Sequence, residues 1–131
     1  MIKIPVGVLG ATGMVGQRFI TLLSNHPWFK LVAVAASPRS VGKIITNLTV
    51  EAVEKDMERI AQKARIVFSA LDMEKEEIRR IENAYASLGV AVVSNNSAHR
   101  WSEDVPMIMP EINPEHINLI KQQQKNQGWK G

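Results

Sequence analysis

Cysteine is absent from the 131-residue sequence. Its absence excludes disulfides, thiolate metal ligands and thiol nucleophiles from this chain. No apolar run approaches the roughly 20 residues of a membrane span, and the N-terminus lacks the apolar core of a signal peptide. With 45% hydrophobic and 22% charged residues, the composition is typical of a soluble globular protein. We expect a cytoplasmic protein with one domain over residues 1–131, a length that is short for a complete two-domain enzyme.

Acidic residues are also missing from the first 50 positions, which carry five basic residues and a net charge of +5. The remainder carries 11 basic and 13 acidic residues, or −2. A pI near 9.4 is common in nucleic-acid-binding proteins. The basic residues here are scattered among apolar segments, however, without a basic helix or an RNA-binding aromatic pattern. The charge pattern therefore does not favour a nucleic-acid-binding protein, and the sequence shows no metal-ligand cluster.

Three glycines follow the first apolar run, in the sequence IPVGVLGATGMVG of residues 4–16. The apolar run predicts a buried parallel strand, and Gly10, Gly13 and Gly16 predict a sharp turn into a helix. Glycine lets the backbone approach a pyrophosphate, whose charge is favoured by the free N–H groups of a helix start. A tight connection without a ligand is the alternative, because the spacing is GxxGxxG and not GxGxxG. The strand before the turn and the amphipathic segment after it favour a dinucleotide site.

A second predicted strand, residues 29–36, ends in the segment ASPRSVGK. NAD-binding folds place an Asp or Glu near this position to accept a hydrogen bond from the ribose 2′-OH. Ser37, Arg39 and Ser40 stand there instead, and a guanidinium with nearby hydroxyls suits a 2′-phosphate. The sequence therefore predicts NADP as the cofactor; the alternative is that Arg39 is only a solvated loop residue.

Strands and helices alternate along the rest of the chain. We predict a strand within residues 44–53, a helix over 54–64, a strand over 65–71, a helix over 73–88, a strand over 90–93 and a last helix ending near residue 127. This alternation predicts an α/β fold with a doubly wound, mostly parallel sheet and helices on both faces. Ligands lie at strand ends in such sheets, so Ser69, Ala70 and Leu71 either line the cofactor or close a turn.

The predicted helix over residues 73–88 is amphipathic. We place its apolar residues inward and expect its charged residues to form a solvated face, comprising Glu74, Lys75, Glu77, Arg80 and Glu82.

The loop after the last predicted strand, SNNSAHRWSEDVPMIMP (residues 94–110), is rich in polar groups. Candidates for contacting an amide or an anionic group of a ligand are Asn95, Asn96, Ser97 and Arg100. They are equally suited to capping the loop, since Asn and Ser readily hydrogen-bond their own backbone. His99 is a weak catalytic candidate, and we expect it to be a packed or surface side chain.

The glycine turn, the ASPRSVGK segment, FSAL, SNNSAHRWSEDVPMIMPEIN and the closing QGWKG together resemble the nucleotide-binding half of the aspartate-semialdehyde dehydrogenases, above all the archaeal branch. The resemblance covers most of the chain and implies a Rossmann-type NAD(P)-binding domain. Enzymes of this family reduce β-aspartyl phosphate to aspartate semialdehyde with NADPH, through a thioester on a cysteine. Homo-oligomers are implied for the full enzyme.

The resemblance also implies roles for individual positions. It places five residues around the pyrophosphate: Gly10, Thr12, Gly13, Met14 and Val15. Around the 2′-phosphate it places Ser37, Arg39 and Ser40, and along the cofactor Ser69, Ala70 and Leu71. Near the nicotinamide it places Asn95 and Asn96. Arg100 matches the arginine that binds the phosphate of the acyl phosphate substrate.

The chain departs from the family pattern because the nucleophilic cysteine, the acid/base histidine and the residues that bind the substrate's carboxylate and amine are not in it. No catalytic residue is therefore predicted, and we expect cofactor binding without catalysis. The segment between residues 42 and 65 is also shorter than is usual. Malonyl-CoA reductases and N-acetylglutamyl-phosphate reductases, which have similar nucleotide-binding halves, are the enzymatic alternatives. A non-catalytic dinucleotide-binding module is the alternative from another class.

Overall fold

Six strands form one sheet in the computed structural model, which describes residues 2–131. They are β1 (Ile4–Leu9), β2 (Phe29–Ala36), β3 (Ile44–Ile45), β4 (Leu48–Ala52), β5 (Ile66–Ser69) and β6 (Ala91–Ser94). The sheet order is β3-β4-β2-β1-β5-β6, and every neighbouring pair is parallel except the antiparallel β3–β4 pair. The chain thus winds outward from β1 in both directions, as a doubly wound sheet does.

Helices cover both faces of this sheet. They are α1 (Met14–Leu23) on one face and α2 (Met57–Lys63) and α3 (Lys75–Ser87) on the other; α4 (Leu119–Gln127) and 3-10 turns at Pro38–Ser40 and Pro114–Asn118 complete the helical elements of the described residues. One buried cluster joins α1 to the sheet, and a second joins α2 and α3 to the opposite face. The predicted Rossmann-type fold is confirmed. Within residues 2–131, no helix has both the length and the apolar character needed to cross a membrane.

The segment predicted to hold a third strand forms two. Thr46 and Asn47 both have positive φ, at 48° and 68°, and this two-residue turn folds β3 back on β4. Two successive left-handed residues are typical of the type I′ hairpin turn, which suits the twist of the flanking strands. Asn adopts this conformation readily, whereas β-branched Thr rarely does. Of the two turn positions, only Asn47 therefore carries a residue that is typical of this turn.

Glu82 of α3 contradicts the predicted solvated face, because it is only 4% exposed. It lies four residues after Ile78 and three before Tyr85, both buried. Residues three and four apart share one face of a helix, so Glu82 belongs to the stripe that packs on the sheet. The other four residues predicted for the solvated face are exposed.

Candidate nucleotide-binding site

Four strand ends meet at one edge of the sheet. Leu9 of β1 lies opposite Ala35 of β2 and Ser69 of β5, and Ser69 lies opposite Ser94 of β6. These strand ends and the segments that follow them contain all the site residues predicted from the sequence. Parallel pairing therefore brings the sequence-distant candidates to the same edge, which is where doubly wound sheets bind ligands.

The glycine turn, defined as residues 10–16, packs too closely to accommodate side chains at two of its glycines. Gly10 has a φ of 81°, and a Cβ atom there would overlap the carbonyl group of Ala70. A Cβ atom on Gly16 would overlap the carbonyl oxygen of Gly10. Gly13 differs, because its Cβ atom would meet only the Gly10 oxygen, at 3.6 Å. Protein packing thus explains Gly10 and Gly16, whereas the open side of Gly13 leaves room for a ligand.

Backbone N–H groups of the glycine turn divide into bonded and free ones. The N–H groups of Gly10 and Ala11 both donate to the Ala35 carbonyl, at 2.8 and 3.0 Å, and that of Gly13 donates to Gly10. Within residues 2–131, those of Met14 and Val15 have no backbone acceptor. These two residues begin α1 and are 89% and 43% exposed. Free N–H groups at the positive end of a helix suit a pyrophosphate.

The segment after β2 lies against the glycine turn. Ser37 precedes the 3-10 turn that contains Arg39 and Ser40, and the hydroxyl oxygens of Ser40 and Thr12 are 3.4 Å apart. Arg39 is exposed. The hydroxyls and the guanidinium predicted to hold a 2′-phosphate are thus carried by the segment adjoining the predicted pyrophosphate site.

Two acidic residues that follow this segment in the sequence, Glu51 and Asp56, pair with basic side chains of α2. Glu51 of β4 is buried beneath α2, where its carboxylate oxygens lie 2.8 Å from Arg59 Nε and 2.8 Å from Lys63 Nζ. Asp56 also contacts Arg59, at 3.0 Å, and accepts a hydrogen bond from the backbone of Ala52. Both carboxylates are therefore compensated within the protein.

The segment after β5 shows unequal exposure. Ser69 and Leu71 are buried, and Ala70 is half-buried. The N–H group of Ala70 donates to Leu9, and the Ser69 carbonyl accepts from Asn95. The segment therefore closes the space between β1 and β6. Of its three side chains, that of Ala70 is the most accessible to a ligand.

The β6 loop, defined as residues 94–100, is attached to α3 through Glu82. The Ser94 hydroxyl donates to Glu82 Oε2 at 2.6 Å and accepts from the backbone N–H of Asn96 at 3.0 Å. Asn96 Nδ2 lies 3.4 Å from the same Glu82 oxygen and 3.5 Å from Ser69 Oγ. Asn96 is thus held by both its backbone and its side chain.

The far end of the β6 loop is attached to α3 through Arg79, whose Nη2 and Nε donate to the Ala98 carbonyl at 2.7 and 3.2 Å.

His99 is half-buried, as expected for a packed side chain, with Nδ1 3.1 Å from Ser102 Oγ. Burial lowers the pKa of His99, and the charge of Arg79 acts in the same direction, although Glu82 and Asp104 oppose it. Asn95 and Arg100, which belong to the β6 loop, are exposed.

Sequence reasoning missed Glu82 and Arg79 as parts of this site. A signal was present for Glu82, because its spacing from Ile78 and Tyr85 places it on the buried helix face. For Arg79 no local pattern existed, since its acceptor is a backbone carbonyl 19 residues away.

Comparison with known proteins decides the family. Residues 5–120 match the family described as "Semialdehyde dehydrogenase, NAD binding domain". The chain belongs to this family. It is 49% identical to an aspartate-semialdehyde dehydrogenase of Archaeoglobus fulgidus, over 96% of this chain and 40% of that protein. It is 35% identical to a malonyl CoA reductase (NADP) of Metallosphaera sedula, over 95% of this chain and 38% of that protein.

The fold agrees with this assignment. A crystal structure of aspartate-semialdehyde dehydrogenase with NADP from Candida albicans superimposes with a TM-score of 0.80 and 36% identity, over 95% of this chain and 38% of that one. The chain thus spans about 40% of the length of the relatives that it matches. The resemblance to this oxidoreductase family, inferred from motifs, is confirmed.

Proposed function

We propose that residues 1–131 are the NADPH-binding part of an aspartate-semialdehyde dehydrogenase. One observation carries the proposal: the free N–H groups of Met14 and Val15 adjoin a strand end that carries Arg39 and lacks a carboxylate. The N–H groups suit the pyrophosphate. The Arg39 guanidinium suits a 2′-phosphate, which a carboxylate would repel.

The remaining site residues fit a cofactor laid across the strand ends. Gly10 and Gly13 let the backbone approach the pyrophosphate, with Thr12 beside them, and Ser37 and Ser40 donate hydroxyl hydrogen bonds near the 2′-phosphate. Ala70, flanked by Ser69 and Leu71, adjoins the middle of the cofactor. Asn95 and Asn96 adjoin the nicotinamide. When bound, the cofactor supplies hydride chemistry, and the protein residues bind and orient it.

Arg100 is proposed to bind the phosphate of an acyl phosphate substrate, because it is exposed beside Asn95 and Asn96 and its planar guanidinium can hold two phosphate oxygens. The reaction that this proposal implies is the reductive dephosphorylation of β-aspartyl phosphate. The chain alone is expected to bind NADPH without catalysing this reaction, since it contains no thiolate to attack the acyl group.

A thioester substrate is the second candidate. The 35% identity to a malonyl CoA reductase favours it, whereas Arg100 favours an acyl phosphate.

The proposal is tested by calorimetric titration of the chain with NADPH and NADH. We expect tighter binding of NADPH, and Arg39→Ala should weaken NADPH by about 10-fold while leaving NADH unchanged, because a charge-assisted bond to the 2′-phosphate is lost. Lys30→Ala is the matched control. Lys30 is exposed near the start of β2, so its substitution removes one positive charge at the opposite edge of the sheet. Equal affinity for both cofactors, or no binding by a folded sample, would contradict the proposal.

A further inference from the structure

We propose that Glu82 is a positioning residue that fixes the Asn96 amide with its nitrogen inward and its oxygen toward the ligand. The proposal deepens the assigned function and rests on it. Glu82 lies on α3, outside every segment predicted from the sequence to contact the cofactor. It acts on the ligand only through Asn96.

The contacts of Glu82 are unusual for a buried carboxylate. It is 4% exposed, and its hydrogen-bond donors are neutral groups, the Ser94 hydroxyl and the Asn96 amide. Glu51, the other buried carboxylate, instead pairs with Arg59 and Lys63. A buried charge is retained only when its hydrogen bonds are satisfied. The β6 loop supplies these bonds to Glu82.

A relay of two hydrogen bonds transmits the position of Glu82 to the Asn96 backbone. Glu82 Oε2 accepts the hydrogen bond of the Ser94 hydroxyl at 2.6 Å, so the hydroxyl directs its hydrogen toward Glu82. A lone pair of Ser94 Oγ is then left to accept the Asn96 N–H, at 3.0 Å. Glu82 thereby fixes both the position of the Ser94 hydroxyl oxygen and the direction of its O–H bond.

The same carboxylate selects between the two orientations of the Asn96 side chain. Nδ2 lies 3.4 Å from Glu82 Oε2, and the flipped amide would bring Oδ1 toward a negative oxygen. Because Nδ2 faces Glu82, Oδ1 is directed away from it. Asn96 therefore offers an acceptor, and the complementary group is an N–H donor. A primary carboxamide, as on the nicotinamide ring, is a ligand group of this class.

Glu82→Gln tests the proposal because it keeps the size of the side chain and replaces one acceptor oxygen with a donor. Binding is compared for NADPH and for 2′,5′-ADP, which retains the 2′-phosphate and lacks the nicotinamide. We expect about 10-fold weaker NADPH binding, unchanged 2′,5′-ADP binding, and shifted side-chain ¹⁵N–¹H₂ resonances of Asn96. In an Asn96→Ala background, Glu82→Gln should weaken NADPH no further.

Glu77→Gln is the control, because it makes the same change on the exposed face of α3 and should alter neither ligand. Ser94→Ala is a second variant in case Glu82→Gln does not fold. It removes the relay, and we expect shifted Asn96 resonances and weaker NADPH binding.

Wild-type NADPH affinity in Glu82→Gln, an equal loss of both ligands, or unshifted Asn96 resonances in Ser94→Ala would each overturn the positioning role. Failure of the wild-type chain to bind either ligand would instead contradict the proposed function.

Discussion

The glycine turn and the β6 loop follow two strands of one sheet, β1 and β6, which are separated by β5, yet different kinds of contact hold them. Backbone groups hold the glycine turn, since Gly10 and Ala11 donate to Ala35 and the turn packs on Ala70. Side chains hold the β6 loop, since Glu82 and Arg79 of α3 attach its two ends.

This difference explains why the glycine turn can be identified from a local sequence motif and the contacts of the β6 loop cannot. Close backbone packing requires glycine, so the glycine turn is visible as a motif. Side-chain attachment from another element leaves no motif in the loop itself. The largest predicted effect of substitution is accordingly in the glycine turn, and the smaller effects are in the β6 loop.

Gly10→Ala is expected to have the largest effect. Its Cβ atom would overlap the Ala70 carbonyl, and its φ of 81° is strained for any residue with a side chain. We expect the free energy of unfolding to fall by roughly 3 kcal/mol, measured by urea denaturation. Gly13→Ala is the control, because its Cβ atom meets only an atom at 3.6 Å, and it should leave stability nearly unchanged. Similar destabilisation by both variants would show that the turn is not held by close packing at Gly10.

Arg79→Ala should have an intermediate effect, confined to the β6 loop. It removes two charge-assisted hydrogen bonds to the Ala98 carbonyl, and we expect a loss of about 1 to 2 kcal/mol. Hydrogen exchange should be faster at residues 97–100. Arg80→Ala is the matched control on the same helix, where the exposed pair with Glu54 contributes little. Unchanged exchange in Arg79→Ala would show that α3 does not hold this loop.

The pH dependence of stability should show the smallest effect, at His99. Burial lowers the pKa of His99 in the folded state, so the unfolded chain binds a proton more readily. As pH falls below about 6.5, the ordinary pKa of histidine, His99 should therefore reduce stability. His99→Gln should remove this contribution, measured as a flatter loss of unfolding free energy between about pH 6.5 and pH 5. An identical pH profile for both proteins would contradict the assigned burial effect.

Sequence reasoning predicted the fold because its signals are local or periodic. The apolar run before Gly10 and the alternation of strands and helices were enough to predict a doubly wound sheet. The same reasoning identified the segments at the strand ends, since parallel pairing brings them to one edge. Their contacts with a cofactor stay predictions.

Two features escaped prediction for different physical reasons. The hairpin at Thr46 and Asn47 carries a β-branched residue in a conformation that such residues disfavour, so its turn signal was weak. The sequence prediction placed Glu82 in solvent because the residue is charged, although its position along the helix lies on the buried face. A buried charge is rare unless partners satisfy it, and its partners, Ser94 and Asn96, come from a loop 12 to 14 residues away.

The contacts of the Ala35 carbonyl bear on how far apart the phosphate groups of a bound ligand can lie. This one oxygen accepts from Gly10 and Ala11, and Ser37 and Arg39 follow Ala35 by two and four residues, just beyond the end of β2. The two anion-binding segments proposed for the cofactor therefore share one fixed reference point, and their separation cannot vary independently. We expect a ligand whose phosphate groups are spaced differently from those of NADP to satisfy only one segment, so that this site selects by span as well as by charge.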